Sequence, residues 1–183
     1  MTMMSWSSYP TLKAVLMALP EVVLRERLRN ELRICSDYLG KSLPFGSDTP
    51  FPFSVDIELT DAAGLCLLNG KVTARYHHLF RLVIGKDYPF TKPTVIWLTP
   101  IFHPNIMLPE DGGHVCTKLL DGWSFGSTLI TFIKGIESML ACPNPLSPFG
   151  TDSCTAAAAY FNSGKGRSPP SISRPPKKGV RFL

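Results

Sequence analysis

The chain has 183 residues, 44% of them hydrophobic and 10% aromatic, which is enough apolar material for one substantial core and too little for two. Its formal net charge of +5 invites an acidic partner, but the basic residues are not interleaved with aromatics, which disfavours nucleic-acid binding by base stacking. No apolar run approaches bilayer length, and the patch at 14–19 is too short for a secretory leader, so a soluble cytoplasmic protein without membrane contact is expected.

Residues 1–20 read as an N-terminal extension whose one apolar patch, at 12–19, is set apart by Pro20. Over 21–39, Leu24, Leu28, Leu32, Cys35 and Leu39 recur at three- and four-residue steps, predicting a helix with one buried stripe that Gly40 closes. Arg25, Arg27, Arg29 and Arg33 occupy its other faces, either as a solvated surface or as a basic handle for an acidic domain. Residues 53–59 alternate as a strand, 61–64 turn, and Asn69-Gly70 signals a hairpin leading into a long strand over 71–84. A further strand at 94–99 contains Trp97, and an antiparallel meander of four strands is the simplest assembly. The segment 100–122 has no period and reads as an extended surface loop, a natural place for chemistry.

Helical spacing returns over 127–141, with Leu129, Ile133, Ile136 and Leu140 on one face. Asp152 or Ser153 then caps a short alanine-rich helix over 155–161. From 162 to 183 the chain is a basic, proline-rich tail with too little apolar surface to fold alone. The expected organisation is therefore one α+β domain over 21–161, flanked by an extension and a flexible tail.

Five cysteines, odd in number and without a Cys-x-x-Cys pair, argue against a disulfide framework and against a metal site. Cys116 stands out by its surroundings: Tyr88-Pro89-Phe90, Pro93, His103-Pro104-Asn105-Ile106, Gly113-His114-Val115-Cys116, Trp123 and Pro143-Asn144-Pro145 follow in order. A thiolate attacks acyl groups well at modest pH, and the thioester formed stays activated toward amines. The asparagine amide of Asn105 can donate to a tetrahedral oxyanion without deprotonating water. It can equally hold its loop together, and the two roles are compatible. His103 and Pro104 read as the turn that aims Asn105.

The order and spacing of these anchors resemble the ubiquitin-conjugating enzymes, over roughly residues 24–161. The resemblance implies that family's fold: an N-terminal helix, a four-stranded antiparallel meander, an active-site loop, then helices packed on the sheet. It also implies a cysteine, Cys116, that accepts ubiquitin or a ubiquitin-like modifier as a thioester from an activating enzyme and passes it to a substrate lysine. No cofactor is expected, because ATP is spent upstream. In the family an acidic or hydroxyl residue after the Pro-Asn-Pro motif helps the acceptor lysine lose its proton, and Ser147 stands where an aspartate is frequent. A RING-type ligase would grip two loops matching Tyr88, Pro89 and Phe90, and Ser124 and Phe125. The activating enzyme would meet Arg25, Arg29 and Arg33.

The chain departs from the pattern in four places. It inserts Leu108-Pro109-Glu110-Asp111 before the cysteine and carries extra residues around 64–70. It has Phe125 where a proline is common, and its basic tail is expected to replace the usual last helix. These features describe a divergent, compact member. The rival readings are a non-catalytic variant of the same fold serving as a ubiquitin-binding or scaffold module, a basic nucleic-acid binder, and a thiol hydrolase, for which the sequence places no base.

Overall fold

The computed structural model describes residues 18–116 and 121–164. The extension up to residue 17, the stretch 117–120 after Cys116 and the basic tail from 165 lie outside the described residues.

Helix α1 (Glu21–Leu39) begins after Pro20, whose carbonyl accepts from the Leu24 N–H at 3.0 Å. It ends at Gly40, where φ is 67°, a left-handed conformation that costs other residues roughly 1–2 kcal/mol. Leu24, Leu28, Leu32 and Cys35 are buried as the periodicity predicts. Glu31 is buried on the same side, a carboxylate in an apolar stripe.

The strands follow as β1 (Phe53–Leu59), β2 (Gly64–Leu68), β3 (Lys71–Arg75), β4 (His78–Ile84) and β5 (Thr94–Trp97). All pairings are antiparallel, but the expected single four-stranded meander is divided: β1, β4 and β5 form one sheet, and β2 with β3 forms a separate hairpin. The cause lies in unequal arms. Leu59 is opposite His78 and Gly64 is opposite Arg75, so residues 60–63 on one arm face only Tyr76 and His77 on the other. The expected long strand over 71–84 therefore breaks there, and His78 turns into the core. Gly64 makes room for it: a Cβ at that position would lie 2.8 Å from the His78 ring. At the hairpin tip, Asn69 and Gly70 both have positive φ, at 50° and 75°, as the Asn-Gly signal requires.

Helix α2 (Leu129–Ala141) starts two residues later than expected, because Thr128 is extended and caps it by accepting from the Thr131 N–H. Helix α3 (Asp152–Asn162) starts earlier than expected. Its cap is Thr151, not Asp152 or Ser153, and the Thr151 hydroxyl accepts from the Cys154 N–H at 3.3 Å. Asp152 then sits in the first turn, where a carboxylate favours the helix dipole.

The core lies between the sheet and helices α1 and α2, and it contains Leu28, Ile57, Phe80, Trp97, Phe132 and Ile136. Phe80 and Trp97 stack with ring centroids 5.7 Å apart. A smaller cluster of Leu65, Phe102 and Ala157 with Val72, Tyr160 and Phe161 seats the hairpin on α3. The mixed α/β architecture, with an N-terminal helix, antiparallel sheet and C-terminal helices, is the expected fold class. Among the described residues no helix is long and apolar enough to cross a membrane.

Candidate active site

Cys116 ends an extended segment held on both sides by backbone hydrogen bonds. On one side, Trp97 N–H donates to Gly113 O at 2.7 Å, and His114 bridges to Ile96. On the other, Met107 N–H donates to His114 O at 2.9 Å, Val115 bridges to Ile106, and Cys116 N–H donates to Asn105 O at 2.9 Å. Gly113 is required for the close approach: its φ is 63°, and a Cβ there would lie 2.3 Å from Trp97 O. The segment is thus an extra edge on β5.

The five cysteines are all unpaired, and their environments separate them. Burial, reinforced by Glu31, pushes the Cys35 thiol up to about 12, which leaves it inert at neutral pH. Cys154 is buried and donates to Ile106 O at 3.4 Å. Cys66 lies in the hairpin against Thr73, and Cys142 is exposed. Cys116 is half-buried at the foot of the His-Pro-Asn turn.

His103 builds that turn. Its Nδ1 accepts from the Asn105 N–H at 3.0 Å and its Nε2 meets Met139 O at 3.1 Å, an arrangement that places the ring proton on Nε2. Burial lowers its pKa to about 4, so the ring is neutral and both nitrogens are committed. The imidazole of His114 lies against Gly112.

Asn105 is buried, and its side chain reaches the 144–147 segment through three hydrogen bonds. Nδ2 donates to Asn144 O at 3.0 Å and to Ser147 O at 2.9 Å, while Oδ1 accepts from Asn144 N–H at 2.8 Å. Both amide hydrogens are therefore engaged, and oxyanion contact would require releasing one. The structure brings Cys116, Asn105 and Ser147 together through Asn105, which meets Cys116 by its backbone and Ser147 by its side chain. Ser147 itself is exposed, as is Leu146 beside it.

The two expected docking loops also meet, although not all of their residues face solvent. Tyr88 and Pro89 are buried, so neither presents a side chain to a partner. The Tyr88 hydroxyl donates to Glu31, and burial with that contact pushes its pKa well above the usual phenol value. Phe90 is 39% exposed and Phe125 53%, their ring centroids 5.4 Å apart, with Ser124 exposed beside them. Trp123 ties the loops by donating from Nε1 to Pro89 O at 2.7 Å. Sequence reasoning missed the roles of Arg27 and Glu31, whose four-residue spacing was the available signal.

The three arginines expected as a handle differ. Arg25 is turned onto its own chain, donating to Glu21 and to Thr49 O at 3.0 Å with its guanidinium over the Phe51 ring. Arg29 and Arg33 lie on the open face of α1, next to Glu26 and Asp37.

An α+β domain with a thiol held beside a buried His-Pro-Asn turn and a Pro-Asn-Pro loop is a narrow class. The family model for ubiquitin-conjugating enzyme matches residues 65–162, more than half of the chain, and the chain belongs to that family. It is 36% identical over 72 residues to ubiquitin-conjugating enzyme E2 N of Drosophila melanogaster, covering 39% of this chain and 46% of that one. It is 33% identical over 87 residues to ubiquitin-conjugating enzyme E2 PEX4 of Gibberella zeae, covering 47% of each. The chain thus spans about half the length of the curated relatives it matches. Among solved structures, the ubiquitin-conjugating enzyme domain of Toxoplasma gondii aligns with a TM-score of 0.57 at 25% identity, over 77% of this chain and 88% of that one.

Proposed function

We propose that residues 21–161 form a catalytic unit that carries ubiquitin or a ubiquitin-like modifier on Cys116 and transfers it to a substrate lysine. The Cys116 thiolate attacks the thioester presented by an activating enzyme, and the activating enzyme's cysteine leaves as a thiolate. A neutral lysine amine then attacks the new thioester. The tetrahedral intermediate expels the Cys116 thiolate, the amine proton passes to solvent, and an isopeptide bond remains.

The observation that carries this reading is a half-buried, unpaired Cys116 whose backbone N–H donates to Asn105 O, in a family of conjugating enzymes. A carrier must keep water from being activated beside its thioester. His103, with both nitrogens committed and its ring held neutral, is unavailable as that base. Asn105 is proposed to act first by fixing the 144–147 platform against which the acceptor lysine is desolvated, with one amide hydrogen turning to the oxyanion during transfer. Ser147 is proposed to accept a hydrogen bond from the incoming amine; it supplies no charge. Phe90, Ser124 and Phe125 form the proposed surface for a RING-type ligase, backed by Tyr88 and Pro89, and Arg29 and Arg33 the proposed face for the activating enzyme.

The test mixes the full chain with modifier, activating enzyme and ATP. A non-reducing gel should show an adduct that thiol reductant removes and Cys116→Ala abolishes. Cys116→Ser should give an oxyester that survives reductant. An adduct unaffected by Cys116→Ala would refute the assignment, and absence of any adduct with ubiquitin and its relatives would favour the non-catalytic scaffold reading.

A further inference from the structure

Phe90 and Phe125 are exposed, and a hydrogen-bond network rooted in the buried Glu31 of helix α1 lies behind them. Glu31 is 7% exposed. Its Oε2 accepts from the Tyr88 hydroxyl and from Leu129 N–H at 2.7 Å, the first N–H of α2, while its Oε1 accepts from Arg27 Nε at 2.7 Å. Arg27, with only 20% of its side chain exposed, extends the network outward: Nη2 donates to Phe125 O at 2.9 Å and to Ser127 O at 2.8 Å. Its guanidinium lies 5.1 Å from the Phe125 ring centre and 5.5 Å from that of Tyr88.

Building on the proposed function, we infer that Arg27 and Glu31 are positioning residues that fix Phe90 and Phe125 at the spacing a ligase reads. The chemistry supports a specific role for each. A carboxylate can accept three donors at once and so joins the Tyr88 loop, the start of α2 and Arg27 at one point. A planar guanidinium can pair with that carboxylate, bridge two carbonyls and pack on two aromatic rings, which an ammonium cannot do. Arg27 thus supports the Phe125 ring by an aromatic contact and its loop by two hydrogen bonds. The two tilted rings present an aromatic notch, suited to an aliphatic or proline side chain from a partner. The network also makes α1 continuous with both docking loops.

The experiment uses the full chain and the RING domain that binds it most tightly in a panel. Binding is measured by calorimetry for wild type, Glu31→Gln, Arg27→Lys and Phe125→Ala. Phe90–Phe125 ring contacts are followed by nuclear Overhauser effects. Glu31→Gln and Arg27→Lys should each weaken binding at least tenfold and lose the ring–ring contact. In the Phe125→Ala background the Glu31→Gln penalty should shrink, because part of the network's effect runs through that ring. Folded variants that keep the ring contact and bind within twofold of wild type would overturn the inference, as would penalties that add in the double variant. If Glu31→Gln does not fold, Arg27→Lys carries the test. Thioester loading of the wild-type chain is run in parallel. If loading fails or no RING domain binds, the functional reading falls while the ring–ring contact still decides the positioning role, its loss supporting it and its retention overturning it.

Discussion

Replacing Asn105 by alanine separates the two roles that an asparagine at this place can play. The substitution removes two donated bonds, to Asn144 O and Ser147 O, and one accepted bond from Asn144 N–H. Each is worth about 1 kcal/mol net, and the carbonyls left behind lie near the surface, where water can partly replace the lost donor. The expected loss is therefore about 2–4 kcal/mol of stability, or roughly 4–16 °C in Tm for a domain of this size. Urea titration should show a lower midpoint with an unchanged slope, and hydrogen exchange should show the Asn144 and Leu146 amides losing protection. Discharge of a preformed Cys116 thioester onto free lysine should slow as well, since the platform beside it is loosened. A variant that melts within about 0.5 kcal/mol of wild type yet discharges slowly would refute the platform argument and assign Asn105 to the oxyanion alone.

Acid should destabilise the fold through its two buried histidines, since burial lowers the pKa of both His78 and His103 to about 4. Below pH 6.5 the unfolded chain takes up protons that the folded chain refuses, so stability falls as pH falls, by roughly 3 kcal/mol per histidine, levelling off once the pH has passed below about 4. Unfolding titrations across that window check this, and a flat profile between pH 7 and 4 would contradict it. Gly113→Ala should cost at least about 3 kcal/mol or prevent folding, because the added Cβ meets Trp97 O and φ is positive; a stable variant with an unchanged Trp97 environment would disprove that contact. Timed iodoacetamide labelling read by mass spectrometry should modify Cys142 and Cys116 while sparing Cys35 and Cys154 in the folded chain, and early labelling of Cys35 would be inconsistent with its burial.

The elements most legible in the sequence were those whose side chains alternate cleanly between core and solvent. Leu24, Leu28, Leu32 and Cys35 marked α1, and the period-two run from Phe53 to Leu59 marked β1, because burial alone decides those patterns. The break at Tyr76 and His77 was hidden, since a residue-count mismatch between two arms depends on their pairing and leaves no trace in either arm alone. The spacing of Arg27 and Glu31 marks an ion pair, but the burial of that carboxylate was hidden for a related reason: it follows from donors supplied by Tyr88 and Leu129, far away along the chain. The anchors around Cys116 were legible as an ordered set, and the structure groups Cys116, Asn105 and the 144–147 loop. Sequence could not say that Tyr88 faces inward while Phe90 faces outward, because a loop has no period to assign sides.

The segment 108–111 ahead of Cys116 forms a short arc closed by its own backbone bonds and tied to α3 by the Ser153 hydroxyl, which donates to Asp111 at 3.4 Å. Gly113 N–H donates to Leu108 O at 2.9 Å, Asp111 N–H to the same oxygen at 3.0 Å, and the Met107–His114 bond closes the neck behind them. Cys116 is positioned below that neck, by the sheet through Trp97 and Gly113 and by the Asn105 carbonyl that accepts its N–H. Changes of charge at the exposed arc residues Glu110 and Asp111 would therefore alter the rim around the thiol without touching the backbone bonds that place Cys116.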